Sequence, residues 1–292
     1  MHSYVPRKSK VLVTGADGMA GRAVVAHCRR QGDEVMGYNR QTLDITNNNA
    51  VASAFRQTSP EIVINCAAWT DVDGCQSDPD RAFDVNARAV ERLAVNSRQC
   101  GASFVTISTD YVFDGEKDGF YTQRDDPNPI SVYGDSKLQG ERRAQNAYAR
   151  TIVARTSWVF GMGGRNFLST VIDRVQRGER ITVITDAYGT PTYGDDLAER
   201  LRLLAGLDIP GVYHVVNQGL GATYEEFTLA ALAQVGRTEL NVERTTMADL
   251  NRPALRPRNS RLRCAISEAL GLPPLPDWKL ALGVFSARMG KQ

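Results

Sequence analysis

The sequence predicts an α/β fold, a doubly wound parallel sheet with a smaller C-terminal lobe, on three observations. Short apolar runs alternate with helical stretches about every 15 to 25 residues over the first half, the rhythm of right-handed βαβ units. The first apolar run leads straight into Gly15, Gly18 and Gly21, three glycines at a spacing of three. Tyr133 and Lys137 lie one helical turn apart, downstream of a hydroxyl-bearing strand end at Ser108-Thr109.

Taken in order, Lys10–Thr14 is a short apolar strand, and the stretch after the glycines is helical to Gln31. Glu34–Tyr38 is the second strand, Ala50–Gln57 a helix and Glu61–Asn65 the third strand. Asp78–Cys100 reads as one long helix, since Pro79 suits a first turn, where its missing N–H costs nothing. Ser103–Ser108 is the fourth strand, with Thr109 at its C-terminal end, where open α/β sheets present their chemistry. The helix bearing Tyr133 follows, then a fifth strand at Thr151–Arg155. Beyond Trp158 the rhythm loosens. Helices are expected at Asn166–Arg177, Asp195–Leu207 and Thr223–Val235, and strands at Ile181–Ile184 and Gly211–Val216. Residues 1–160 are expected to form a dinucleotide-binding domain, to which segments at about 186–218 return, and 161–292 mainly a substrate-binding lobe.

Composition narrows the function classes. A chain of 292 residues with 42% hydrophobic and 23% charged residues is long enough and apolar enough for a large core. The net charge of +2 is too small to imply a nucleic-acid partner. No segment approaches the roughly 20 apolar residues that span a bilayer. Met1–Lys10 is basic with no apolar run behind it, so it reads as a short lead-in and not a signal peptide. Five scattered cysteines without a C-x-x-C fit reduced thiols in a cytoplasm, and three unclustered histidines offer no metal site.

Each motif carries a chemical reason. A glycine turn between a strand and a helix lets backbone approach a pyrophosphate, and the helix N-terminus meets its charge; this is the dinucleotide turn of a Rossmann fold. The second strand ends in Tyr38-Asn39-Arg40, with no carboxylate before Asp44. An Arg there suits the 2′-phosphate of NADP(H), whereas a carboxylate would grip the free hydroxyl of NAD. Asn65-Cys-Ala-Ala-Trp69 puts small residues at the third strand end, where a cofactor passes close to the backbone. Tyr133 is the candidate general acid, Lys137 the cation expected to draw its pKa down from about 10, and Thr109 a hydroxyl for the same carbonyl oxygen. A tyrosine and lysine at this spacing also occur on ordinary helix surfaces, and it is the surrounding motifs that favour a keto-reduction site.

Together these residues resemble the extended short-chain dehydrogenases/reductases. Five ordered strings are similar, more narrowly, to the dTDP-4-dehydrorhamnose reductase family. They are Ser108-Thr-Asp-Tyr-Val-Phe-Asp-Gly115, Tyr133-Gly-Asp-Ser-Lys-Leu-Gln-Gly-Glu141, Arg155-Thr-Ser-Trp-Val-Phe-Gly161, Gly189-Thr-Pro-Thr192 and Arg256-Pro-Arg-Asn-Ser260. The resemblance implies reduction of the C4 ketone of dTDP-4-dehydrorhamnose to dTDP-L-rhamnose, with NADPH, or NADH, as cofactor. It implies catalytic roles for Thr109, Tyr133 and Lys137. Gly18, Met19 and Ala20 would meet the pyrophosphate, Asp44 and Ile45 the adenine, and Ala67, Ala68 and Trp69 the length of the cofactor. Val72, Asp110 and Trp158 would face the sugar, where the apolar face of an indole covers C–H groups.

Some members of that family bind Mg²⁺ through carboxylates at a dimer interface, one of them two residues past the third glycine. Here that position is Ala23; Asp195 matches another acidic position, but no complete site is formed, and no metal is assigned. The expected partner is a small nucleotide sugar, with the chain a monomer or homodimer in the cytoplasm. Two other readings stay open. One is a non-catalytic, NADP-binding regulatory subunit, similar to that of methionine adenosyltransferase, which shares the Arg-Pro-Arg-Asn string at 256–259. The other is a related nucleotide-sugar ketoreductase or epimerase.

Overall fold

In the computed structural model, which describes residues 7–164, 167–234, 236 and 242–289, the apolar runs of the first half become strands, largely buried except for the partly exposed Glu34–Tyr38 at the sheet edge. Its elements are β1 (Lys10–Thr14), α1 (Met19–Arg30), β2 (Glu34–Tyr38), α2 (Asn48–Thr58) and β3 (Ile62–Asn65). They continue with α3 (Val72–Ser77), α4 (Pro79–Phe83), α5 (Ala89–Cys100), β4 (Ser103–Thr109), α6 (Val132–Ala147) and β5 (Thr151–Thr156). The second half comprises β6 (Val159–Phe160), α7 (Phe167–Gln176), β7 (Ile181–Ile184), β8 (Tyr188–Gly189), β9 (Thr192–Tyr193) and α8 (Gly194–Leu207). It ends with β10 (Gly211–His214), β11 (Ala222–Thr223), α9 (Tyr224–Gln234), β12 (Val242–Thr245), α10 (Ala265–Ala269) and α11 (Trp278–Met289). Met1–Pro6 of the lead-in, Asn166 and Val235 lie outside the described residues.

Six strands form one sheet in the order β10-β5-β4-β3-β1-β2, every pairing parallel. This is the doubly wound arrangement, with its reversal of strand order beside β1. Helices α1 and α8 cover one face, where Val24, Leu197 and Leu201 pack on Val11, Ile64 and Ile152. On the other face Val51, Phe55, Leu93 and Ala144, from α2, α5 and α6, meet Leu12, Val63 and Phe104. A third apolar cluster, built around Phe160, Leu168, Phe227, Trp278 and Phe285, is the core of the C-terminal lobe. The lobe holds three two-stranded pairs, β7 with β12, β8 with β11 and β6 with β9. No described helix is long and apolar enough to cross a membrane.

One expected element divides. The helix foreseen over 78–100 is α4, a π-helical turn at Asp84–Arg88, and α5. Asp78 caps its start by accepting from Arg81 N at 3.2 Å. The wide turn carries the buried Asn86, whose side-chain amide binds three groups. Regular apolar spacing hides such a turn, because it inserts a single residue. The short helix α3 and the two-residue strands of the lobe were likewise absent from the sequence reading. They are too short to show a period.

Candidate active site

The glycine turn is shaped by contact. Gly15 has φ +66°, and a Cβ there would stand 2.7 Å from Ala67 N; a Cβ on Gly21 would stand 2.1 Å from Gly15 O. The turn thus lies flat against the loop after β3 and packs α1 onto it. Asn65 fixes that loop from below: it accepts from Thr14 Oγ1 at 2.6 Å and Ala67 N at 3.2 Å, and donates to Thr106 Oγ1 at 3.0 Å. Above the C-terminal strand ends lie three adjoining cavities.

The outer cavity, about 580 Å³, is lined by Gly15, Gly18, Arg40, Asp44, Ile45, Ala67, Ala68 and Trp69. Arg81 sits over the Trp69 ring at 4.2 Å and lines the same space. Asp44 is held below the usual carboxylate range, first by the N–H and hydroxyl of Thr46 and then by nearby Arg40. The central cavity, about 630 Å³, takes Gly18, Met19, Ala20 and Gly21 from the start of α1, and Thr109, Asp110, Tyr133, Lys137 and Trp158 from the far side. The N-terminal end of α1 faces this space, so its dipole favours an anion there. The third cavity, about 340 Å³, lies in the lobe and shares Tyr111 and Trp158 with the central one. Of the site residues expected from sequence, Val72 alone lines none of the three. It packs with Trp69, Tyr111 and Val132 around Tyr133.

Ser131 caps α6 by accepting from Gly134 N, which places Tyr133 in the first turn and Lys137 one turn on. The buried pair of Glu141 with Arg155, with contacts of 2.7 to 3.2 Å, ties the same helix to β5. Lys137 Nζ donates to Ile107 O at 2.7 Å, and burial, opposed by Glu141, brings its pKa down to about 8. Tyr133 departs from expectation in direction. Burial pushes its phenol up, with Asp110 and Cys75 adding to the rise, while the hydrogen bond with Thr109 pulls it down. Desolvation of a nearly enclosed phenol therefore outweighs any pull from the ammonium. The phenol is left firmly in its proton-bearing form.

Asp110 lines the central cavity, yet both carboxyl oxygens are turned to the protein: Oδ1 accepts from Thr109 Oγ1, and Oδ2 from Ser157 Oγ and Ser260 Oγ. Trp158 takes a left-handed backbone at φ +42° and stacks on Tyr224 at 3.8 Å, with an interplanar angle of 19°. Such a conformation is costly for an aromatic residue and is held by its surroundings. Gly189 allows it, since a Cβ there would fall 2.2 Å from the indole. One indole face is thus already covered.

Sequence reading missed several residues that the fold brings here. Asn86 accepts from Trp69 N at 2.8 Å and donates to Trp69 O at 3.0 Å and Ser136 Oγ at 3.1 Å, joining the cavity loop to α6. Tyr111, Tyr224, Arg252 and Arg256 line the lobe cavity. Arg256 is fixed by Asp73, at 2.8 and 3.1 Å, across the two halves of the chain. Of these, Tyr111 and Arg256 lie in strings already singled out, Ser108–Gly115 and Arg256–Ser260, but neither string indicated a role or a partner for them.

The residues fit a dinucleotide. The glycine cradle admits backbone approach, and the buried hydroxyls of Ser108 and Thr156, which line the central cavity, have no hydrogen-bond partner among the described residues. They do not fit a divalent cation at the acidic positions. Asp195 pairs with Arg288, whose guanidinium also donates to Tyr193 Oη at 2.9 Å, and Ala23 offers no ligand. No group of three His, Cys, Asp or Glu residues able to hold a metal occurs among the described residues.

Comparison with known proteins gives concordant matches. The family described as RmlD substrate binding domain matches residues 9–290. A dTDP-4-dehydrorhamnose reductase of Streptomyces griseus is 39% identical over 277 residues, 93% of this chain and 91% of the relative. The spore coat polysaccharide biosynthesis protein SpsK of Bacillus subtilis is 35% identical over 274 residues, covering 94% and 95%. Among solved structures, the dTDP-4-dehydrorhamnose reductase of Bacillus anthracis in complex with NADP superposes with a TM-score of 0.93 at 32% identity, covering 97% of this chain and 100% of that one.

Proposed function

The chain belongs to the RmlD substrate-binding-domain family, and from that premise we propose that it is an NADPH-dependent reductase of nucleotide-linked 4-ketosugars. Its reaction is reduction of the C4 ketone of dTDP-4-dehydrorhamnose to the hydroxyl of dTDP-L-rhamnose, a step that serves polysaccharide biosynthesis. The observation that carries this reading is the position of Thr109, Tyr133 and Lys137. They line the cavity that joins a dinucleotide cleft on one side to a lobe cavity on the other.

Bound NADPH supplies a hydride to the carbonyl carbon. Tyr133, kept protonated by burial, gives its proton to the oxygen that gains charge as the ketone is reduced. Thr109 orients that oxygen, and a protonated Lys137 balances the phenolate left behind. The N-terminal end of α1 holds the cofactor pyrophosphate, and Arg40 answers the 2′-phosphate at the rim of the outer cavity. In the lobe, Arg252 and Arg256 supply positive charge for the sugar-nucleotide diphosphate, while Trp158 and Tyr111 border the sugar where the lobe and central cavities meet. Ala67, Ala68 and Trp69 line the cofactor, with Asp44 and Ile45 near its adenine. Residues to about 160, with α8 and β10, serve the dinucleotide, and most of the rest serves the sugar. Five free cysteines suit a cytoplasmic enzyme, working as a monomer or homodimer.

The test is NADPH oxidation followed at 340 nm, with the ketosugar generated in situ. The wild type should turn over, and Tyr133→Phe should lose at least about two orders of magnitude in kcat while binding NADPH as before. Tight NADPH binding without turnover would remove the reductase reading.

A further inference from the structure

Asp110 stands where three segments of the chain cross: the end of β4, the turn carrying Ser157 after β5, and the strap carrying Ser260. The residue is 3% exposed. Thr109 Oγ1 donates to Oδ1 at 3.0 Å, Ser157 Oγ donates to Oδ2 at 2.8 Å, and Ser260 Oγ donates to Oδ2 as well. A hydroxyl has one proton to give. While Thr109 gives it to Asp110, none remains for the ketone oxygen that Thr109 is meant to orient. Its lone pairs are engaged by Tyr111 N at 3.2 Å and by the Tyr133 phenol, and the second is freed when Tyr133 turns its proton to the ketone oxygen.

The two serines have fewer choices. Ser157 Oγ accepts from Thr190 N at 3.4 Å, and among the described residues the one alternative acceptor for Ser260 Oγ is the distant Tyr188 O at 3.5 Å. Both therefore keep their protons on Oδ2. Thr109 alone has a second destination, the central cavity beside Tyr133.

We propose that Asp110 is a positioning residue of the reduction: carrying a proton on Oδ1, it donates to Thr109 and turns the Thr109 O–H onto the ketone oxygen. The inference rests on the reductase reading above. No proton leaves Asp110 during turnover, since the proton added to the product hydroxyl comes from Tyr133. Burial pushes the carboxyl above its usual range, against the pull of the three hydroxyls and of its own backbone N–H. Tyr111, Tyr133 and Tyr224 face the group with phenols whose own values burial raises, so these neighbours stay neutral at physiological pH. A carboxyl that served only to grip the sugar would keep an oxygen free for it, and here neither is.

The test compares Asp110→Asn, Asp110→Ala, Thr109→Ala and the Asp110→Ala/Thr109→Ala double variant, with kcat, sugar KM and NADPH affinity measured for each. Asp110→Ala should lower kcat about 100-fold, the scale of losing one donor to the reacting oxygen, with little change in KM. The Asn amide can donate to Thr109 and accept from both serines, so Asp110→Asn should recover at least about tenfold of that loss. In the Thr109→Ala background, Asp110→Ala should cost little more, because both act through one hydroxyl. Losses that multiply, or an Asn variant as slow as the Ala variant, would overturn the inference while leaving the reductase intact. Absence of turnover in the wild type would overturn both.

Discussion

Lys137 is an ammonium enclosed between a strand and a helix, and the fold carries an energetic cost for holding it. Its pKa is about 8, against an ordinary value of about 10.4, because burial disfavours the charged form. Between those two values the unfolded chain binds more protons than the folded one. This group's contribution to stability therefore rises with pH through that window. Neighbouring phenols and thiols with raised values work in the opposite direction, so the measurement has to be a difference. The melting temperature of wild type minus that of Lys137→Met should grow by several degrees from pH 8 to 10. A constant difference would mean that Lys137 titrates as an ordinary exposed lysine. Retaining a group at this cost is what a site demands when the charge is used in the chemistry.

At the level of elements, α6 is the part on which the site depends. It carries both Tyr133 and Lys137, and it is held by the Glu141–Arg155 pair below and by the π-helical turn beside it. The closest approach is at Gly140, where a Cβ would fall 2.1 Å from Asn86 O. Gly140→Ala should thus lower stability by about 1–3 kcal/mol, as overpacking does. It should also weaken NADPH binding, because the Asn86 side chain accepts from the backbone N–H of Trp69 and donates to its carbonyl oxygen, fixing that stretch of the cavity loop. Thermal melts and cofactor titration read the two effects. A stable variant with normal NADPH affinity would show that the two elements can separate without consequence. The π turn also explains a limit of sequence reading. The apolar positions of 78–100 announce a helix correctly, but one added residue within it turns a polar side chain inward, and periodicity does not register that.

For the molecule as a whole, the sheet domain and the lobe meet along the strap at 252–262. Arg256 reaches Asp73 at the start of α3, and Asp73 also accepts from Ala254 N at 3.2 Å. Arg256 holds the Asp73 carboxyl below its usual range, so the pair's contribution is present above the ordinary carboxylate pKa and fades as pH falls through the lowered one. Both side chains are partly exposed, which limits the pair to about 0–1 kcal/mol of stability. Its larger effect should be on geometry at the lobe cavity. Asp73→Asn should raise the sugar-nucleotide KM several-fold, leaving NADPH affinity and melting temperature nearly unchanged. A variant with unaltered KM would show that Arg256 needs no such anchor.

Local chemistry by itself determined a good deal here. The glycine turn, the apolar strands of the first half and the Tyr133/Lys137 spacing are each complete within a few residues, so the doubly wound sheet, the dinucleotide turn and the candidate acid were legible in order along the chain. Tertiary structure decided what depends on distant segments meeting. It sent Val72 into the packing around Tyr133, covered one face of Trp158 with Tyr224, and brought Arg256 to Asp73. It also reversed the expected direction for the Tyr133 phenol and surrounded Asp110 with hydroxyls from three segments. The physical reason is the same in each case. Spacing along a chain fixes which side chains share a face, whereas burial, desolvation and hydrogen-bond direction are set by whatever the fold packs against that face.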